Sequence, residues 1–194
     1  YGLSFDYDCD ISPRFYGFGN TTPDQQESSY TARELDLRLH LGYRLTPTLE
    51  VKWYGSLNQR TLSDHNLRGL PSTATLFPLE MQDRRNMAII QGLALSIDTR
   101  DYKDTPTCGV LLRLFAETAL PAWGSDASFD RVGFTLKAFQ PWDLERRRFI
   151  TALHLQGNFL TRARQTPFYR WPSLGGHTSY RGAGEGRWVD RNLL

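Results

Sequence analysis

The stretch Leu35-Asp36-Leu37-Arg38-Leu39-His40-Leu41-Gly42-Tyr43-Arg44-Leu45 decides the fold. Leu35, Leu37, Leu39, Leu41, Tyr43 and Leu45 share one parity, and Glu34, Asp36, Arg38, His40, Gly42 and Arg44 the other. Successive side chains of a strand point to opposite faces, so this spacing gives a strand with one apolar and one polar face; a 3.6-residue period would mix the two sets. After Thr46-Pro47-Thr48 the pattern resumes, with Leu49, Val51, Trp53 and Leu57 against Glu50, Lys52, Tyr54, Ser56 and Asn58.

Working outward, the same alternation marks Tyr1–Asp8, Ile89–Asp98, Val110–Thr118, Phe129–Phe139 and Arg148–Leu160, and an eighth strand is expected from near Arg187 to Leu194. No convincing helix separates these segments, and parallel pairing needs crossovers of a dozen or more residues, so the strands are predicted to form an antiparallel meander. The 13% aromatic content, 16 Gly and 10 Pro suit many strands divided by turns.

Composition excludes several classes. With 23 Lys+Arg against 21 Asp+Glu, the net charge of +2 gives no charge-driven nucleic-acid binder. No uncharged apolar run approaches the ~18 residues of a spanning helix. Tyr1–Asp10 has neither a basic n-region nor an apolar h-region and no initiator Met is present, so the chain is read as an interior piece of a longer protein. Cys9 and Cys108 are too few for a disulfide framework, and neither they nor His40, His65, His154 and His177 have metal-ligand spacing. Gly182-Ala183-Gly184-Glu185-Gly186 lacks the Lys, the Ser/Thr and the following helix of a phosphate loop, and no G-x-S-x-G elbow occurs. Neither an enzyme, a cofactor nor a metal is expected. Arg146-Arg147-Arg148 reads as a solvated or headgroup-facing rim.

The apolar face must meet either a protein core or lipid, and alternation alone does not choose. Alternation from Leu35 to Leu45 matches the ~9–11 residues that a tilted strand needs to cross a bilayer. The connections 9–29, 59–87 and 161–187 are long, whereas 46–48 and 141–147 are short, as in barrels with long external loops and short periplasmic turns; 99–108 and 119–128 are intermediate. Tyr43 and Trp53 flank one short turn and Trp142 and Phe149 the other, where an aromatic girdle would sit. These features favour a transmembrane barrel. A soluble barrel holding a small apolar ligand against inward leucines, and a passive pore, stay open.

Three segments carry a family resemblance. Leu95-Ser96-Ile97-Asp98-Thr99-Arg100-Asp101 with Pro106 and Gly109 resembles the D-x-R-[DN]…P…G signature of BamA/TamA-type outer-membrane assembly factors, the bacterial surface antigen family. Leu174-Gly175-Gly176-His177-Thr178-Ser179-Tyr180-Arg181-Gly182-Ala183 resembles that superfamily's G-G…[VIL]-R-G-[FY] loop, with Tyr180 in place of an aliphatic residue and Ala183 in place of an aromatic. Phe15-Tyr16-Gly17-Phe18-Gly19-Asn20 resembles its F-[FY]-G-[IL]-G-N piece.

The resemblance implies an all-β fold: an antiparallel transmembrane β-barrel meander, residues 1–194 being an interior portion of about seven to eight strands of a sixteen-stranded barrel preceded by POTRA repeats. Residues 161–187 would form the loop that folds back into the lumen. The intact protein would lie in the bacterial outer membrane, inserting or translocating client outer-membrane or secreted proteins, with lipid and periplasmic assembly factors as partners and no nucleic acid. A two-partner-secretion-type transporter is the nearest alternative. Site residues expected are Gly175, Gly176, Tyr180, Arg181 and Gly182 in the lumen loop, and Asp98, Arg100, Asp101, Pro106 and Gly109 in the turn. A guanidinium confined in a lumen needs a carboxylate. In the family that carboxylate lies on strands after this loop; within the chain, parity offers Glu117 and Asp98. The same register places Cys9 at the external rim and Cys108 in a periplasmic turn, too far apart to form a disulfide.

Overall fold

The computed structural model describes residues 1–11, 13–64, 69–144, 147–162, 166–176 and 179–194. One antiparallel sheet contains, in chain order, β1 (Gly2–Asp10), β2 (Thr31–Arg44), β3 (Leu49–Ser63), β4 (Arg85–Asp98), β5 (Gly109–Ala119), β6 (Phe129–Leu144), β7 (Arg147–Leu160) and β8 (Asn192–Leu193). All seven alternating segments are strands of this meander. The expected eighth strand joins this sheet only through Asn192↔Phe159 and Leu193↔Asn158.

Several strands outrun the leucine pattern. The β2–β3 ladder runs from Thr31↔Ser63 to Arg44↔Glu50, and β4 starts at Arg85. Backbone pairing is indifferent to the apolar parity that marks a strand in sequence, so the ladder continues where the outer face turns polar at Arg33 and Thr61.

The two faces have opposite fates. Leu39, Leu41, Leu93, Leu114 and Leu155 stay exposed, Leu41 at 51%, and among the described residues no second layer covers them. A leucine-inward barrel is thereby ruled out as the arrangement of these strands. The polar face is concave, since Arg38, Tyr54, Ile90, Glu117, Arg131 and Asn158, one from each of β2 to β7, line a single cavity on it. Small residues permit this curvature: Tyr54 lies over Gly92 and Phe115 over Gly133, where an added Cβ would come within 2.3 and 2.5 Å of the rings.

At one end lie the turns 45–48 and 99–108, with the end of β6 at Leu144 and the start of β7 at Arg147; residues 145–146, in the expected connection 141–147, lie outside the described residues. The other end carries 11–30, 64–84, 120–128 and 161–191. The intermediate connection 99–108 thus belongs with the short turns. Tyr43, Trp142 and Phe149 are exposed on the outer face at the short-turn end, and the last two are register partners. Cys9 lies across from Arg33 at the long-loop end and Cys108 in the 99–108 turn; both are free.

The core sits against the concave face at the long-loop end. One cluster gathers Phe15, Tyr30, Ala32, Leu62, Met81, Phe168, Tyr169 and Val189, another Ala88, Ile90, Ala119, Ala127, Phe129 and Leu160, and Trp171 packs on both. Phe15, only 1% exposed, has Phe168, Phe77 and Phe18 at ring distances of 4.4, 4.9 and 5.4 Å.

Candidate functional site

The connection from β7 to β8 folds back onto the concave wall. A single turn, Phe168–Arg170, puts two rings into the core and turns Arg170 onto the wall. Arg170 donates through Nε to Asn86 Oδ1 at 2.6 Å, through Nη1 to Asn58 Oδ1 at 2.9 Å, and through Nη2 to the Asn58 and Asn86 carbonyls at 3.2 and 3.1 Å. Burial lowers its pKa to about 10, which leaves it charged at neutral pH. Beside it Arg60 donates to the Tyr169 carbonyl at 2.5 Å and to Glu34 Oε2 from Nε at 2.9 Å, while Asn58 Nδ2 donates to Glu34 Oε1. One network therefore joins β2, β3 and β4 to the loop, and the planar guanidinium suits it because its fixed fork meets several acceptors at once.

Further on, Ser173–Leu174 pairs with Trp188–Val189 and closes a sub-loop. Its glycines are sterically required at two places. Gly175 has φ +127° and a Cβ there would lie 2.0 Å from the Gly184 oxygen; Gly176 has φ +80° and donates its N–H to the Ala183 carbonyl at 2.9 Å. The Gly175 N–H also donates to Ser179 Oγ at 3.0 Å. Tyr180 stacks near Trp188, with ring centroids 5.9 Å apart, and Gly182 lies against the Tyr180 ring. Arg181, at the tip, is exposed and has no ion pair among the described residues. His177 and Thr178 of this motif lie outside the described residues.

Glu117 faces the concave side, where its partners stand on β6 and β3. It accepts from Arg131 Nε at 2.6 Å and from the Tyr54 hydroxyl at 2.7 Å, and Arg131 is its direct cross-strand neighbour. The nearest cation in the ladder takes the carboxylate. Asp98, the other candidate, holds Arg100 from both oxygens at 2.9 Å.

That second pair belongs to the 99–108 turn. Asp101 Oδ1 accepts from the Tyr102, Thr107 and Cys108 N–H groups at 2.9, 2.9 and 3.2 Å, and hydrogen bonding from Thr107 holds its carboxyl well below the usual range. Gly109 has φ +100° and a Cβ there would lie 2.4 Å from the Thr99 oxygen. Asp98, Arg100, Asp101 and Gly109 thus build one turn, which also contains Pro106.

The third motif meets the β7–β8 connection. Gly19 N–H donates to the Val189 carbonyl at 2.9 Å. Arg187 lies 4.7 Å over the Tyr16 ring and 5.4 Å from that of Trp188, and it donates to Thr22 Oγ1 and to the Thr22 carbonyl at 2.9 and 2.8 Å. The first long connection and the last are thereby clasped together.

The profile of the Omp85 superfamily domain matches residues 2–192. The chain belongs to the Omp85 superfamily. Among solved structures it is similar to BamA from Haemophilus ducreyi lacking POTRA domains 1–3, with a TM-score of 0.64 and 17% identity, over 95% of this chain and 35% of that one. That likeness concerns the fold, and this chain spans about a third of that BamA chain. No match to a curated protein was found.

Within this Omp85 domain, the residues that fasten the loop are ones the motifs do not contain. Arg170 and Arg187 carry no local periodicity. One signal could have found Arg170: Phe168-Tyr169-Arg170-Trp171 is a dense aromatic run inside a long connection, and such rings must be covered by something. The polar parity of Asn58 was visible, but Asn86 fell in the connection 59–87, and nothing showed which cation would reach either.

Proposed function

We propose that this Omp85 chain forms wall and lumen loop of a bacterial outer-membrane barrel that takes part in inserting or translocating proteins. The observation that carries the reading is the fastening of the β7–β8 connection to the concave wall at Arg170, behind a sheet whose opposite face is an uncovered leucine surface. The apolar face meets the bilayer, and the loop steadies the wall from within. Beside this network the concave face is a polar cavity lined by Arg38, Lys52, Arg113 and Glu117. Partners on this reading are lipid, client outer-membrane or secreted proteins and periplasmic assembly factors. Nucleic acid, cofactor and catalysis have no part in it. Arg181 keeps the role its motif implies, reaching a carboxylate outside this chain.

The test uses the full-length protein reconstituted in vesicles. Lipid-embedded quenchers should reduce the emission that Trp53→Phe removes, because Trp53 shares the outer face with Leu41 and Leu93. An unfolded outer-membrane barrel added to these vesicles should fold faster than in empty ones. Ion conductance without such acceleration would favour the passive pore and overturn the reading.

A further inference from the structure

At the long-loop end, the outer face changes from leucines to arginines. Cross-strand pairing sets Cys9, Arg33, Thr61 and Arg85 in one row over β1 to β4. Their orientation follows from their neighbours: Ala32 and Leu62 enter the inner core and Asn86 holds Arg170, so Arg33, Thr61 and Arg85 point the other way. Arg33 and Arg85 are exposed, and neither has an ion pair among the described residues. Arg85 contacts the Gln59 amide oxygen at 3.3 Å. By contrast Arg162, at the same end, is matched by Asp130 at 2.8 Å.

The next rows down the outer face are Tyr7, Leu35, Gln59 and Met87, then Phe5, Leu37, Leu57 and Ile89. From Leu35 to Leu45, ten rises of about 3.4 Å on a strand tilted by about 45° span roughly 24 Å, close to the ~25 Å apolar band of an outer-membrane barrel. The arginine row therefore lies at headgroup level. Strands lie about 4.8 Å apart, so the Cα atoms of Arg33 and Arg85 are separated by roughly 10 Å, and two long side chains can close on one phosphate or hold two. The Thr61 hydroxyl between them adds a donor. Guanidinium matches phosphate geometrically, and cations at a membrane surface that form no ion pair among the described residues call for an anionic headgroup.

We propose that Arg33, Thr61 and Arg85 form a surface site for the phosphomonoester headgroup of a glycolipid in the leaflet at the long-loop end. This rests on the outer-membrane reading. Cys9, beside Arg33 in the row, provides the reporter. In the full-length protein, with Cys108 and any further thiol replaced by Ser, Cys9 is labelled with an environment-sensitive dye. The protein is then placed in phosphatidylcholine vesicles containing bisphosphorylated lipid A, dephosphorylated lipid A or phosphatidylglycerol.

Phosphorylated lipid A should change the dye emission at a lower mole fraction than either other lipid. Removing two charge-assisted contacts in R33A/R85A should raise the half-saturating fraction about tenfold. An unchanged half-saturation in the double variant, or an equal response to dephosphorylated lipid A or to phosphatidylglycerol, overturns the site. If Trp53 is quenched by lipid while Cys9 ignores phosphate, the site alone falls. If Trp53 is not quenched, the membrane reading falls and takes the site with it.

Discussion

The concave face is two surfaces. At the long-loop end its polar residues are partnered by the returning loop: Asn58 and Asn86 accept from Arg170, and Arg60 reaches back to the Tyr169 carbonyl. Further round the wall, on β5 and β6, the same polar parity satisfies itself, Glu117 accepting from Arg131 and from Tyr54 across the ladder. One part is a packed interior made from a connection, the other a polar wall held by pairs between strands. Polar strand faces do not dictate which occurs; what lies over them does. Loop fastening is therefore separable from wall stability, and each can be broken without the other.

The largest expected effect lies in the packed half. Phe15→Ala removes a ring in contact with Phe168, Phe77 and Phe18, and should cost about 4 kcal/mol by the usual scale for buried phenylalanine. Amide exchange in the full-length protein should rise throughout 13–30 and 166–191 while β5 to β7 keep their protection. Arg170→Ala comes next. It leaves two asparagine side chains and two carbonyls without their donor in a buried site, a loss of about 3 kcal/mol. Arg170→Lys should recover little, because one ammonium cannot reproduce a four-bond fork. Loss of sheet protection in either variant would show that the wall depends on its loop.

Why the wall was legible and the loop was not follows from the range of the interactions. Leu35 to Leu45 declares its faces through neighbours two residues away, and the seven strands come from that local rule. Arg170 meets Asn58 across 112 positions, and a single sequence carries no record of such a contact. The glycine motif was readable because Gly175 and Gly176 answer to local sterics, yet it drew notice to Arg181 rather than to Arg170. Charge parity brought Glu117 to the right face, but it could not rank Arg181 against Arg131, which stands directly opposite.

The short-turn end offers smaller tests of a region organised without any loop from above. Gly109→Ala puts a Cβ into the Thr99 carbonyl at positive φ, costing about 2 kcal/mol and freeing the 99–108 amides without touching the Arg170 network. The Asp101 carboxyl is held below its ordinary pKa, so its contribution is fully present above the unfolded value near 3.9 and declines as pH falls through the lower folded value. Exchange at Thr107 and Cys108 should stay slow at pH 5 and quicken only in stronger acid. Quickening already between pH 7 and 5 would assign those amides to another acceptor.

The smallest effect sharpens the comparison most. Arg181 belongs to the motif that marks the loop, whereas Arg170 lies outside it, and the two differ in every physical respect on this chain. Arg170 is half-buried and makes four hydrogen bonds; Arg181 is exposed at the tip of a sub-loop that closes through Gly176, Ala183 and the Ser173–Val189 pair without using its side chain. Arg181→Ala should therefore change the protection of residues 166–176 by less than about 0.5 kcal/mol, as for exposed positions generally. A carboxylate reached from outside this chain would tether the tip and show in the amides of 179–187 alone, since the Arg170 network lies on the other side of the closing pair. If Arg181→Ala instead unlocked 166–176 as fully as Arg170→Ala, the tip would be holding the anchor, and the division of the concave face into a fastened half and a free half would have to be redrawn around Arg181.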